Sequence, residues 1–111
     1  MREGFLVMIE QIIKRDGRTA PFELDKIANA IFGAAQSVGG QDYEMAHELA
    51  EQVEKELEKT VREKIPTVEQ IQDTVETVLI ESGHARTAKK YILYRNERTR
   101  VREMNTRLMK V

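Results

Sequence analysis

Two adjacent cations, Lys14 and Arg15, stand at the edge of a turn centred on Asp16-Gly17. Ile12-Ile13 precede the turn and Thr19-Ala20-Pro21-Phe22 follow it. An Asp-Gly pair between apolar runs is a strong hairpin signal, because glycine takes φ > 0 at little steric cost. A third cation, Lys26, follows where Phe22-Glu23-Leu24-Asp25-Lys26-Ile27 opens a helix. Cations on a stiff ribbon beside a helix start suit a phosphate-bearing ligand. Arginine grips oxygen pairs, lysine acts as a mobile point charge, and the free N–H groups of the helix start add positive potential. The same residues also read as ordinary surface charges paired with Asp16 or Glu23, and spacing alone leaves both readings open.

Other chemistry is sparse. Glu23 is a candidate acceptor for a ribose hydroxyl or a base amino group, and equally a carboxylate placed where a helix start favours one. Tyr91 and Tyr94 are candidates for stacking on a base, or for simple packing on a helix stripe. His47 and His84 have no second His or Cys at ligand spacing, so a metal site is not expected. Asp25 and Asp73 form no visible acid–base pair, and neither a G-x-x-x-x-G-K-[ST] loop nor a G-x-G-x-x-G turn occurs. With no cysteine, thiolate chemistry, disulfides and cysteine zinc sites are excluded. The pattern points to binding without turnover.

These residues need a scaffold. A chain of 111 residues builds one core, and 33% charged residues favour amphipathic helices with ionic outer faces. The longest apolar runs are too short for a membrane span or a secretory segment, which leads us to expect a soluble, cytoplasmic protein. Charge is uneven: residues 42–64 hold eight acidic and four basic side chains, and residues 84–111 hold nine basic and two acidic. Strands are expected over 9–14 and 18–22, with Phe5, Leu6 and Val7 as an extension of the first. Helices are expected over 24–37, from the N-cap Asp42 to about residue 59, from Thr67 to Gly83, and from Ala85 onward. Gly39-Gly40 should end the first helix, and Thr67-Val68-Glu69-Gln70 reads as a capping box. Ile65, ahead of Pro66, is biased to extended geometry and is a candidate third strand. Beyond Arg95 too few apolar residues remain to pack on a core, which predicts an exposed helical extension. The fold class is α+β, mostly helical.

The run Ile12-Ile13-Lys14-Arg15-Asp16-Gly17, the group Pro21-Phe22-Glu23 with Lys26-Ile27, Ile65-Pro66-Thr67 with Ile71, and Ala88-Lys89-Lys90-Tyr91-Ile92-Leu93-Tyr94-Arg95 together resemble the ATP-cone domain. That domain is the allosteric nucleotide-binding module at the N-terminus of many ribonucleotide reductases. The stretch from Gly83 to Lys89, continuing to Leu108-Met109, is most similar to the anaerobic, glycyl-radical ribonucleoside-triphosphate reductases, and vitamin B12-dependent reductases carry similar segments. The resemblance implies a four-helix bundle capped by a small three-stranded sheet, with a lead-in at 1–8, the cone at 9–98 and a basic helical linker at 99–111. It also implies ATP as activator and dATP as inhibitor, with Mg²⁺ as a candidate bridging ion through the phosphates. Carried over by position, Ile12 or Ile13, Lys14 and Arg15 would line the nucleotide from the hairpin. Glu23, Lys26 and Ile27 would do so from the first helix, and Thr67 and Lys89 or Tyr91 from the later ones. The implied partners are a reductase catalytic domain and, with nucleotide, further copies of the chain; no membrane and no nucleic acid are expected. The catalytic barrel, its radical glycine and its cysteines are missing from the sequence, so the chain is expected to regulate and not to catalyse. Two alternatives stand beside this: a cone-based transcriptional regulator, whose four-cysteine zinc ribbon this sequence lacks, and a purely structural oligomerisation domain.

Overall fold

The computed structural model describes residues 9–61 and 65–109, the stretch 105–109 as backbone alone. Expectations for Phe5, Leu6 and Val7 therefore lie outside the described residues. The order is β1 (Gln11–Ile13), β2 (Thr19–Pro21), α1 (Leu24–Gln36), α2 (Tyr43–Val61), α3 (Val68–Glu81) and α4 (Ala85–Met109).

The hairpin forms as the Asp-Gly pair dictates. β1 and β2 are antiparallel, with Gln11 opposite Pro21, Ile12 opposite Ala20 and Ile13 opposite Thr19. Gly17 takes φ 90°, and the Lys14 N–H donates to the Arg18 carbonyl at 2.7 Å. Asp16 closes the turn, its carboxylate accepting from the Arg18 backbone N–H at 3.0 Å and from its guanidinium at 2.7 Å. The backbone bond above all holds the Asp16 carboxyl below its ordinary 3.8. Its contribution to the turn is present above that pH and is lost as acid protonates the group.

Ile9 belongs to the core, and Ile12 and Phe22 pack against it, which gives the short hairpin the support it needs. The third strand does not form. Among the described residues the sheet has two strands, and the extended segment contributes one parallel bridge, Ile13 to Thr67, with the Ile13 N–H donating to the Pro66 carbonyl at 2.9 Å. Pro66 has no N–H to return, and Thr67 turns at once into the cap of α3, so pairing stops after one rung.

The helices follow their apolar stripes. Ile27, Ile31 and Ala34 of α1 meet Leu49, Val53 and Leu57 of α2, Val75 and Leu79 of α3, and Ala88 and Tyr91 of α4 in one core. Contacts run α1 to α2, α2 to α3, α3 to α4 and α4 back to α1. Asp42 caps α2 by accepting from the Met45 N–H at 3.1 Å. The capping box is complete: Thr67 Oγ1 accepts from the Gln70 N–H at 3.1 Å, and Gln70 Oε1 accepts from the Thr67 N–H at 2.9 Å. A three-residue turn joins α3 to α4, which makes them antiparallel neighbours.

Of the two candidate glycines, Gly39 supplies the left-handed cap of α1, at φ 96°, and the Gly40 N–H donates back to Ala35 at 2.8 Å. A Cβ on Gly39 meets nothing within 4 Å, so the conformation alone sets its cost. Gly39→Ala should lower stability by about 1 kcal/mol, read as a lower urea midpoint at unchanged slope.

Candidate functional site

The cleft of interest, about 400 Å³, opens between the hairpin and three helices. The turn holds Lys14 and Arg15 on its wall; α1 brings Lys26 and the small Ala30; α3 brings Val68 and Gln72, one turn apart. α4 brings most. Tyr91, Tyr94, Arg95, Arg98, Thr99 and Arg102 recur at three- and four-residue spacing and so share one face of that helix. Six cationic side chains from three elements thus line one cleft, together with the buried Tyr91 and the exposed Tyr94.

Arg15, Arg95 and Lys26 pair with carboxylates. Arg15 reaches Glu69 at 2.8 Å and donates to the Thr99 hydroxyl at 3.1 Å, which ties the hairpin to the start of α3 and to α4. Neither Asp16 nor Glu23 is its partner. Arg95, with 18% of its side chain exposed, bridges Asp73 at 2.9 Å and Glu76 at 2.6 Å. Burial works against its charge, but the hydrogen bonds to Glu76 and Asp73 outweigh it and hold the guanidinium above its ordinary value. Lys26 lies 3.9 Å from Glu23 with both groups well exposed, a pairing of little energy. Arg98 sits 5.8 Å from the centre of the Tyr94 ring, in cation–π range.

Two features mark the inner end. Burial pushes the Tyr91 hydroxyl up to about 12, so it stays protonated and available as a donor at neutral pH. Gln72 Oε1 is the single buried side-chain polar atom among the described residues with no hydrogen-bond partner. An unpaired buried acceptor costs about 1–3 kcal/mol, which a ligand donor would relieve. Across Tyr91 and Tyr94 lies a second recess of about 390 Å³ between α1 and α4, where Ala30, Gly33 and Ala34 leave room.

The cleft gathers Lys14, Arg15, Lys26, Tyr91 and Tyr94 from the residues singled out in the sequence. The others lie elsewhere. Ile12 and Ile13 are half-buried on β1, Ile27 is 8% exposed within the core, and Glu23 precedes α1. Thr67 caps α3, and Lys89 is exposed on α4 beside Lys90, which faces the second recess. Sequence reasoning missed Gln72, Arg98, Thr99 and Arg102. The stripe begun at Tyr91 continues through 94, 95, 98 and 102, but it is polar, and a search for core residues passes over it. α4 runs unbroken through Met109, and Thr99 is part of the cleft wall. Among the described residues no three His, Cys, Asp or Glu side chains could hold a metal ion. No helix of the described residues is long and apolar enough to cross a membrane.

The ATP cone domain model matches residues 10–100. The chain is 45% identical over 101 residues to the vitamin B12-dependent ribonucleoside-diphosphate reductase of Thermoplasma acidophilum, covering 86% of this chain and 13% of that protein. It is 37% identical over 99 residues to the anaerobic ribonucleoside-triphosphate reductase of Haemophilus influenzae, covering 89% and 14%. It is 38% identical over 96 residues to the ribonucleoside-diphosphate reductase subunit alpha of Treponema pallidum, covering 82% and 11%. The chain therefore spans about an eighth of the length of these relatives, and they include more than one reductase type besides the anaerobic one. Hairpin, helix order, cationic cleft and similarity over nearly the whole chain agree: the chain belongs to the ATP cone domain family.

Proposed function

We propose that this chain is a regulatory module that binds ATP or dATP in the cationic cleft and so raises or lowers the activity of a ribonucleotide reductase. The observation that carries the proposal is the convergence of Lys14, Arg15, Lys26, Arg98 and Arg102 with Tyr91 and Tyr94 around one 400 Å³ space. Cations match a triphosphate, and the aromatic rings and the unpaired Gln72 oxygen match a base and its donors. Mg²⁺ enters only as an ion carried by the phosphates, since the described residues offer no metal-binding cluster. The module works on a reductase catalytic domain, and nucleotide favours one assembly over another because it stabilises one surface arrangement more.

ATP and dATP differ by the 2′-hydroxyl, and a neutral hydrogen bond contributes about 0.5–1.5 kcal/mol. Their affinities should therefore lie within about tenfold of each other, with the opposite outcomes arising from geometry or stoichiometry. Isothermal calorimetry with ATP, dATP and adenosine is the test. Both triphosphates should bind well below millimolar concentration and adenosine far more weakly; no heat from either triphosphate would refute the proposal. The basic stretch of α4 gives little support to a nucleic-acid role. Arg98 and Arg102 face the cleft, and Arg100 donates to Glu97 at 2.9 Å.

A further inference from the structure

We infer that Glu69 is a built-in counter-anion of the cleft: it pairs with Arg15 and must release it when a phosphate arrives. This rests on reading the cleft as a triphosphate site, and goes beyond it by naming the residue that opposes binding. The two arginine clusters of the cleft differ in kind. Arg95 is shared by two carboxylates, and although Asp73 is open to solvent, Arg95 and Glu76 are only 18% and 23% exposed, so that pair stays as it is. Among the described residues Arg15 pairs with one carboxylate, Glu69, whose side chain is 44% exposed. Such a pair is weak and open to exchange with a stronger, multiply charged acceptor.

Glu69 lies in the first turn of α3, between the cap residue Thr67 and its partner Gln70. The capping box does not use the Glu69 side chain, so the helix start survives its release. Release has a structural consequence, because the Arg15 side chain contacts Glu69 on α3 and Thr99 on α4 at once. When a phosphate takes the guanidinium, both ties exchange for ties through the ligand. Occupancy of the cleft is thereby felt at the start of α3 and along α4.

The test compares wild type, Glu69→Gln, Arg15→Ala and the double variant by calorimetry, with ATP and inorganic tripolyphosphate as probes. Glu69→Gln keeps the shape and removes the competing charge, and should tighten binding of both probes roughly three- to tenfold. In the Arg15→Ala background the same change should have little effect, since nothing is left to compete for. Unchanged or weaker binding by Glu69→Gln overturns the inference. Equal tightening in both backgrounds also overturns it, because the carboxylate would then act by general repulsion and not through Arg15. If tripolyphosphate shows the pattern and ATP does not bind, the counter-anion role stands and nucleotide sensing fails. If neither probe binds the wild type, both fail.

Discussion

Arg15→Ala should weaken ATP binding by roughly ten- to fiftyfold while leaving adenosine affinity unchanged. A charge-assisted hydrogen bond contributes about 1.5–3 kcal/mol, or tenfold and upward in affinity. Part of that is offset because Arg15 leaves Glu69 and Thr99 to reach the ligand, and an exposed pair of that kind is worth at most about 1 kcal/mol. Arg15→Lys should recover only part of the loss, since an ammonium cannot grip two oxygens as a guanidinium does. Lys14→Ala should follow the same direction with a smaller effect, since an ammonium is a point charge without the paired donors of a guanidinium. Raising the salt concentration should shrink both effects. Calorimetry on the variants with ATP and adenosine separates phosphate contact from loss of the fold: equal losses for the two ligands would mean that the hairpin, and not the phosphate, was disturbed.

The readable parts of this chain were those with local causes. Asp16-Gly17 fixes a turn from two residues, Asp42 caps α2, and Thr67 with Gln70 forms a box within one helical turn. Ile31, Leu49, Val53, Leu57, Val75 and Leu79 recur at helical spacing and lie in the core. What escaped depends on distant neighbours. Ile65 has an extended bias, but whether a strand forms depends on the donor that Pro66 lacks and on how soon the Thr67 cap begins. Arg98 and Arg102 look like a solvated linker in sequence, because nothing local says that the hairpin folds back to meet them. Ile27 and Thr67 match the family by position, yet one packs in the core and the other caps a helix. Glu69 gave no sign at all, since its partner lies 54 positions earlier in the chain.

Leu57→Ala should cost about 2–5 kcal/mol of stability, the largest effect of any single change considered. Leu57 is fully buried on α2, which packs against α1 and α3, so the lost methyl groups leave a hole that the surrounding helices close only in part. For a single domain of ordinary stability, about 5–15 kcal/mol, that removes a large share and should lower Tm by roughly 10 °C or more. Ile80→Ala is the matched control: it also deletes apolar atoms from a helix, but Ile80 is 55% exposed and the change should stay within about 0.5 kcal/mol. The two classes of variant should then respond oppositely to ligand. ATP at 100 times its dissociation constant adds about 2.7 kcal/mol to any folded form that binds it. Leu57→Ala leaves the cleft wall intact, so saturating ATP should restore much of its melting temperature. Arg15→Ala, close to wild type without ligand, should gain little from the same ATP concentration. Thermal melts of both variants with and without ATP read this crossing directly. Rescue of Arg15→Ala as full as that of Leu57→Ala would place the nucleotide outside the cationic cleft.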